Sequence, residues 1–564
     1  MPRSMEPAGV VPRIPGWTLA AAVLILAANV AMMVAGAVKG GVTLDEPSHV
    51  HRLQGFLATG WYVGEKHVEN GQVTQEGGYA YAPVVALVGH AVGAVVGTED
   101  WHTVSETPAA YVVRHLVVVS FGLLGLLAVA STVRLLTRSW RWGIVGAAVL
   151  GSIPVYIGYS MFNVKDAPVA AGYAVVTLGA VALTRPSIRT RRTQLLAAGA
   201  LALGMWVAAG VRPAMLVTIA ASVAMALVVS WVRLRRNDAA GRRRMLARLA
   251  TAVAGTVVGY LALILTYHKL FLRPDLLYEG VLKSGEFPWH GYTLTAGEFL
   301  PAEQAPPSYL PLWFAAQTPV LISLLCLGAI AWFARSGFLV SARRRGDGDL
   351  LAGVAVLLVQ ALFLPWVAIG FGSTLYQGAR QMLFVVPAIA VLAVVGAWLL
   401  VRRASMPGRM RIGQGLLAAM VAVLAITTVS SAALFPYAYT WFNAATALRP
   451  IDGNWTADFE WQSSREVVPK VDTLDEGRCV LLQPHTHCDR DQVEPFMSTL
   501  GQKLDGPPLG PTQMWRLSYG GPVARPDAPS VDHDLGHNCI RVDAVTRELF
   551  WRTVTMSSVE RCRL

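Results

Sequence analysis

The amino-acid sequence predicts an all-α polytopic membrane protein of about eleven transmembrane helices with a small extracytoplasmic C-terminal α/β domain. Of its 564 residues, 54% are hydrophobic and only 15% are charged, whereas a soluble domain is roughly one quarter charged. The hydrophobic residues form long runs, and arginine clusters recur between alternate runs. These observations exclude a soluble cytosolic enzyme. They also make the formal charge of +12 a signal of topology and not of nucleic-acid binding.

Each predicted span is an apolar run of about 17 to 25 residues, the length that crosses the hydrocarbon core. The eleven runs are 17–38, 111–133, 142–158, 168–184, 194–211, 214–232, 250–271, 310–333, 350–371, 382–401 and 414–434. An odd number of spans places the two termini on opposite sides of the membrane.

Arginine clusters mark the cytoplasmic side, because positive residues are retained there. They lie around residues 134–141, 185–192, 233–248, 335–345 and 402–411, after every second span. The acids predicted on that side are Glu6, Asp238, Asp347 and Asp349. We therefore predict a multi-pass plasma-membrane protein with three units: a cytoplasmic N-terminus (1–16), a transmembrane catalytic module (17–434) and an extracytoplasmic domain (435–564). The external loops of the module are 39–110, 159–167 and 272–309.

The predicted external tail holds four of the five cysteines and has 13 basic and 17 acidic residues. Its cysteines are Cys479, Cys488, Cys539 and Cys562. An oxidising compartment permits disulfides, and four cysteines allow three pairings. The sequence leaves the pairing open.

The first candidate site residues follow the first span directly, in Thr43-Leu-Asp45-Glu46-Pro47-Ser48-His49. Carboxylates at the membrane–water boundary suit a transferase that deprotonates an acceptor while a lipid substrate stays in the bilayer. The alternative is helix capping, because Thr43 and Glu46 have capping-box spacing. Both readings hold together if Glu46 serves the cap and Asp45 acts as the base, with His49 one turn away.

A second polar spot, Asn163-Val-Lys165-Asp166, lies between two predicted spans with almost no loop. Lys165 suits a phosphate and Asp166 a sugar hydroxyl or a metal. The alternative is a lysine that anchors the helix at the bilayer edge.

A third spot is Tyr376-Gln377-Gly378-Ala379-Arg380, between the ninth and tenth spans. Arg380 lies on the predicted outer side, against the positive-inside bias, and a phosphate partner explains it. An interfacial arginine that reaches toward water is the alternative. Arg212 lies in an outer hairpin and has the same two interpretations, with weaker support for the phosphate.

Taken together, these motifs resemble the polytopic C-type fold (GT-C) glycosyltransferases, specifically the bacterial relatives of the protein O-mannosyltransferase and aminoarabinose transferase group (glycosyltransferase family 39-like). The resemblance rests on the three spots above and on four further stretches. These are Tyr81-Ala82-Pro83, Tyr309-Leu-Pro311, Phe435-Pro-Tyr437-x-Tyr439-x-x-Phe442-Asn443 and Asp458-Phe-Glu-Trp461-x-x-Ser464.

The resemblance implies a membrane glycosyltransferase with a polyprenyl-phosphate sugar donor, mannose being the first expected sugar. It would act at the outer face with inversion, on an envelope glycan, glycolipid or protein acceptor. Asp45 would be the base assisted by Glu46, and Lys165, Arg380 and Arg212 would bind the donor phosphate. The substrate-positioning residues would be Asp166, Asn163, His49, Tyr376 and Tyr81. No cofactor is required; a divalent metal held by Asp45, Asp166 and His49 is compatible with the motif.

Three other functions compete with this hypothesis. A transporter or lipid-linked-glycan flippase also places charges within the bilayer, but such proteins often contain internal repeats, and the sequence shows none. A lipid-linked polymerase or ligase would need a large late loop rich in Arg and His, which 272–309 is not. A non-catalytic envelope assembly protein would tolerate replacement of Asp45.

Overall fold

The computed structural model describes residues 12–43, 45–63, 68–69, 72–73, 78–186, 188, 190–234, 239–286, 291–336, 347–404, 410–467, 480–482, 513–519 and 539–563. Within these residues the chain is mostly helical, and nine helices are long and apolar enough to cross a membrane. The structure is therefore that of an all-α polytopic membrane protein. The side of the membrane on which each terminus lies stays a prediction.

The helices are named α1 to α17 in chain order. The first nine are α1 (Gly16–Lys39), α2 (Glu46–Thr59), α3 (Val84–Val96), α4 (Pro108–Thr137), α5 (Trp140–Gly151), α6 (Pro154–Tyr159), α7 (Asp166–Leu183), α8 (Arg191–Ala209) and α9 (Met215–Leu234). The others are α10 (Ala239–Thr266), α11 (His268–Phe271), α12 (Pro274–Lys283), α13 (Tyr309–Gln317), α14 (Val320–Arg335), α15 (Asp347–Gly370), α16 (Val386–Ala404) and α17 (Met410–Ala433). A 3₁₀ turn, Arg380–Val385, leads into α16.

Two of the eleven predicted spans are each divided between two short helices, and a third, 250–271, continues past the end of α10 at Thr266 into α11. Residues 142–158 form α5 and α6, and residues 310–333 form most of α13 and α14. The breaks precede Pro154 and Pro319, where Ile153 and Thr318 are extended. Proline disfavours the helical conformation in the residue before it and lacks the amide proton that would continue the hydrogen-bond ladder. Hydropathy alone does not register such a break.

Helix α7 and the span Arg380–Ala404 lie at the buried centre of the bundle, whereas α10 exposes apolar side chains such as Leu265, as a lipid-facing helix does. The backbones of α7 and α8 approach closely through glycines. A Cβ on Gly204 would lie 2.5 Å from the carbonyl oxygen of Gly172. Small residues of this kind allow membrane helices to pack tightly, and here they hold α7, which begins at the candidate site.

Strands are few in the described residues. They are β1 (Val68–Glu69), β2 (Gln72–Val73), β3 (Tyr292–Thr295), β4 (Glu298–Pro301), β5 (Val480–Leu482), β6 (Gln513–Tyr519), β7 (Cys539–Leu549) and β8 (Arg552–Arg563). The first four form two antiparallel hairpins; the last four form one sheet of order β5-β6-β8-β7, with β5 parallel to β6.

Residues 435–467, the start of the predicted C-terminal domain, pack against the helical bundle. Asn443 donates through its side-chain amide to the carbonyl of Thr318 at 3.0 Å, and Gln462 donates to the carbonyl of Gly41 at 3.2 Å. Farther along, the β7–β8 register places Cys539 opposite Cys562, whereas Cys479 and Cys488 lie outside the described residues. The domain boundary at 434 and the disulfide pairing stay predictions.

Candidate active site

The candidate site lies at one end of the bundle, where three membrane-crossing helices begin or end. Helix α1 ends at Lys39, six residues before Asp45, while α7 begins at Asp166 and a third span begins at Arg380. The predicted spots therefore share one end of the bundle although they are distant in the sequence.

Two turns, one before α7 and one before Arg380, position the cations Lys165 and Arg380. The side-chain oxygen of Asn163 accepts the backbone N–H groups of Lys165 (3.0 Å) and Asp166 (2.6 Å), which fixes the first turn of α7. Before Arg380, Gln377 and Gly378 both have positive φ (56° and 73°). A Cβ at Gly378 would come within 3.2 Å of the Trp313 ring, so this bend requires glycine at its second position.

Asp45 is held by two cations from different parts of the chain. Its Oδ2 accepts from Lys165 Nζ at 2.6 Å and from Arg380 Nη1 at 3.0 Å. Lys165 and Arg380 are buried, whereas the Asp45 side chain is 32% exposed. Asp45 thus faces the open side of a buried cationic pair.

The ionic network extends on both sides of that pair. Arg380 also donates to Glu460, whose side chain is buried. Asp166 is paired with Arg212 (Nη2 to Oδ1, 2.6 Å) and accepts from the Asn163 amide at 3.1 Å. Three carboxylates are therefore matched by three cations, the condition under which buried charges are tolerated.

Aromatic rings and His49 surround the cations. Lys165 Nζ lies 5.5 Å from the centre of the Tyr81 ring, and the Arg380 guanidinium lies 5.7 Å from that of Tyr376. His49 lies edge-on to Tyr81, and its Nδ1 is 2.9 Å from the Tyr62 hydroxyl. Its buried Nε2 has no hydrogen-bond partner among the described residues, so it is available to a substrate hydroxyl.

Glu46 belongs to a different group of contacts from Asp45. Its Oε2 accepts the backbone N–H of Thr43 at 2.7 Å, one of the two bonds of the predicted capping box, and its Oε1 accepts from His115 Nε2 at 2.7 Å. The helix itself begins at Glu46, with Asp45 and not Thr43 as the N-cap residue. Glu46 therefore binds the backbone just before α2 and His115 in α4. Among the described contacts, none joins the Glu46 side chain to Lys165, Arg380 or the Asp45 carboxylate.

We expect Glu46→Ala to lower the free energy of unfolding by about 2–4 kcal/mol, since it leaves two buried donors unsatisfied at about 1–3 kcal/mol each. Chemical denaturation in mixed micelles measures the change. The matched control is Glu106→Ala, which removes a half-buried acid 3.3 Å from His51 and should cost under about 1 kcal/mol. Equal losses in the two variants would contradict the assignment of Glu46 to the cap.

Burial and charge move the pKa values of the site residues apart. Burial alone would raise the pKa of Asp45, but the charges of Lys165 and Arg380 hold it well below its usual range. For His49, burial and the nearby charges of Arg52 and Lys165 lower the pKa, so the imidazole is neutral at pH 7. Burial raises the pKa of Glu460 to about 7 against the opposing charge of Arg380. The site therefore contains one ionised carboxylate at its open side and one that titrates near neutrality behind it.

The raised pKa of Glu460 predicts a pH-dependent stability. Since the folded form holds this proton up to about pH 7 and the unfolded form only to about 4.5, folding is favoured at low pH. Stability falls as pH rises through that window, by up to about 3 kcal/mol. Melting temperatures between pH 5 and 8 should show this slope, and Glu460→Gln should flatten it. The pKa of Asp45 is lowered, so its titration changes stability only below about pH 4 and does not contribute to this slope. A slope of the opposite sign, or one unchanged in the variant, would contradict the prediction.

Glu460 and Asp458 lie in a stretch that carries the resemblance, but the sequence assigned neither acid to the site. Asp458 is buried, accepts from the Tyr439 hydroxyl and from the backbone N–H of Ser463 (2.9 Å), and has its pKa raised by burial. Both acids lie in an aromatic stretch after the last span, a signal that would have indicated burial. Within the described residues, no three His, Cys, Asp or Glu side chains gather as metal ligands do. The stretch Phe287-Pro-Trp289-His290 lies outside the described residues.

Comparison with known proteins finds no matching family model and no matching curated protein. Among solved structures, the chain is similar to ArnT from Cupriavidus metallidurans bound to undecaprenyl phosphate, with 14% identity and a TM-score of 0.42. The apo state of the same protein gives 15% identity and a TM-score of 0.41. Each similarity covers 95% of this chain and 97% of the other. Identities this low do not assign a family.

Proposed function

We propose that the protein is a membrane glycosyltransferase that moves a sugar from a polyprenyl-phosphate donor to an envelope acceptor. The observation that carries the proposal is the half-exposed Asp45 carboxylate against the buried cations Lys165 and Arg380. A lysine and an arginine are the side chains best suited to a lipid-linked phosphate, and their position at the ends of membrane-crossing helices suits a substrate whose tail stays in the bilayer.

The reaction begins when the donor phosphate takes the place of Asp45 on Lys165 and Arg380. Asp45 then has lost the charges that lower its pKa, so its carboxylate becomes a stronger base. It accepts the proton of the acceptor hydroxyl while that oxygen attacks the anomeric carbon. The bond from that carbon to the phosphate oxygen breaks, polyprenyl phosphate leaves with the electron pair, and the two cations stabilise its charge. Attack opposite the leaving group inverts the anomeric centre.

The remaining residues position the reacting groups. Arg212 and Asn163 hold Asp166 beside the cations, so Asp166 presents a carboxylate to a sugar hydroxyl. The neutral His49 offers Nε2, and Tyr81 and Tyr376 provide ring faces for the sugar. Mannose is the first sugar to test, and a glycan, glycolipid or protein is the acceptor class. A divalent metal is not needed for this sequence of steps.

The experiment is transfer by the purified protein in nanodiscs, with radiolabelled polyprenyl-phosphate sugars and an envelope extract as acceptor. We expect label to move from the lipid to the acceptor, with one polyprenyl phosphate released for each sugar transferred. Movement of intact donor between leaflets without release would instead support the flippase hypothesis. Neither transfer nor movement with any donor would reject the enzyme and favour an assembly protein.

A further inference from the structure

A second charged cluster lies at the opposite end of the bundle from the candidate site. Helix α7 begins at Asp166 in the site and ends at Leu183, two residues before Arg185. Its 18 residues span about 27 Å at 1.5 Å per residue, close to the thickness of the hydrocarbon core. Arg185 therefore lies near the other membrane surface, on the side that the arginine distribution predicts to be cytoplasmic.

Four arginines lie close together there, and two of them pair with one carboxylate. Asp349, at the start of α15, is paired with Arg233 and accepts from Arg138 Nη2 at 3.2 Å. Arg233 also donates to the carbonyl of Thr184 at 3.0 Å, and Arg248 donates to that of Arg185 at 3.1 Å. Asp349 thus pairs with two of these arginines, Arg138 and Arg233.

Arg185 is the member of the cluster with side-chain N–H groups that the described contacts leave unsatisfied. Its side chain is buried, and its Nε and Nη2 have no hydrogen-bond partner among the described residues. One turn beyond Asp349, a Cβ on Gly353 would lie 3.5 Å from that Nη2 and 2.3 Å from Leu136. The absence of a Cβ on Gly353 thus lets Leu136 and the Arg185 guanidinium pack against the backbone of α15. Buried N–H groups of a cation are costly without acceptors, and an anion that accepts hydrogen bonds from them would remove that cost.

Helix capping explains only part of the cluster. Arginines near a helix C-terminus favourably contact its last carbonyls, and this accounts for Arg233 and Arg248. It does not account for the unsatisfied N–H groups of Arg185, nor for Arg138, whose side chain is 70% exposed and reaches Asp349 from the surface.

We propose that this arginine cluster (Arg138, Arg185, Arg233 and Arg248) binds a phosphate group, supplied by the headgroup of an anionic lipid in the leaflet opposite the candidate site. Arg185 binds the phosphate oxygens from within, and Arg138 closes the site from the surface. A free phosphate has the same chemistry, and the experiment distinguishes the two sources. The inference does not depend on the proposed function.

The test measures binding to the delipidated full-length protein in a neutral detergent. Melting temperature is followed while phosphatidylglycerol, phosphatidylcholine or inorganic phosphate is added. We expect phosphatidylglycerol to raise the melting temperature with saturation and phosphatidylcholine to have little effect. Saturation by inorganic phosphate at similar concentrations would reassign the site to a soluble phosphate compound and overturn the lipid source. No response to either anion would overturn the site itself.

Two variants with opposite expected effects distinguish a change in phosphatidylglycerol binding from general destabilisation of the protein. Arg185→Gln should weaken the apparent affinity for phosphatidylglycerol by roughly tenfold or more, as expected for the loss of charge-assisted hydrogen bonds. Asp349→Asn should strengthen it, because it removes a carboxylate that competes for Arg138 and Arg233. The control Arg403→Gln removes an exposed arginine from the same end of the bundle and should leave affinity within about twofold, as for a screened surface charge. Weakening by Asp349→Asn, or equal weakening by Arg185→Gln and the control, would refute the proposal.

Discussion

Asp45→Asn should abolish sugar transfer while the protein stays folded. The amide keeps the shape of the side chain but cannot accept the acceptor's proton, and loss of a general base costs about 10²–10⁴-fold in rate. The substitution also removes the anion that Lys165 and Arg380 share, so donor binding should be retained or tightened. Transfer under saturating donor, together with a separate donor-binding measurement, distinguishes the two effects.

The matched control for this substitution is Asp275→Asn. Asp275 lies in the predicted external loop 272–309, with a side chain 57% exposed and paired with Arg273 at 2.7 Å. It should transfer sugar at the wild-type rate. Robust transfer by Asp45→Asn would reject the base and leave Asp45 as a counter-ion of the cationic pair.

Arg380→Gln should have the largest effect on stability. Arg380 is shared by Asp45 and the buried Glu460, and removing one partner of a buried ion pair costs up to about 3–5 kcal/mol. The cost is largest above pH 7, because at lower pH Glu460 can take up a proton instead of staying charged. The variant should also lose transfer, since Lys165 alone would face the leaving phosphate. Chemical denaturation in mixed micelles and the transfer assay give the two readouts.

A double-mutant cycle with Glu460→Gln identifies the cause of that loss. In Arg380→Gln/Glu460→Gln the buried carboxylate is absent, so most of the lost stability should return, whereas transfer should stay lost. Additive losses of stability would mean that Glu460 does not depend on Arg380. Recovery of transfer in the double variant would remove Arg380 from the phosphate site.

The sequence determined the class of the protein and most of the candidate residues. Long apolar runs are local properties, and nine of the eleven correspond to helices that are long and apolar enough to cross a membrane. Asp45, Lys165 and Arg380 could be recognised because a charge beside an apolar run is costly and needs a reason. Motif spacing also anticipated that Glu46 reaches back to Thr43, since a capping box lies within one helical turn.

Only the tertiary structure decided which charges meet. Lys165 is 120 residues from Asp45 in the chain and Arg380 is 335 residues from it, and no local pattern encodes such a pairing. The same holds for His115 on Glu46, Glu460 on Arg380, and Arg138 and Arg233 on Asp349. The pairing is set by helix packing, through close contacts such as that of Gly172 with Gly204. A buried charge is stable only where the fold places an opposite charge beside it. The partner of each buried charge is therefore determined by the packing of the bundle and not by the order of residues in the sequence.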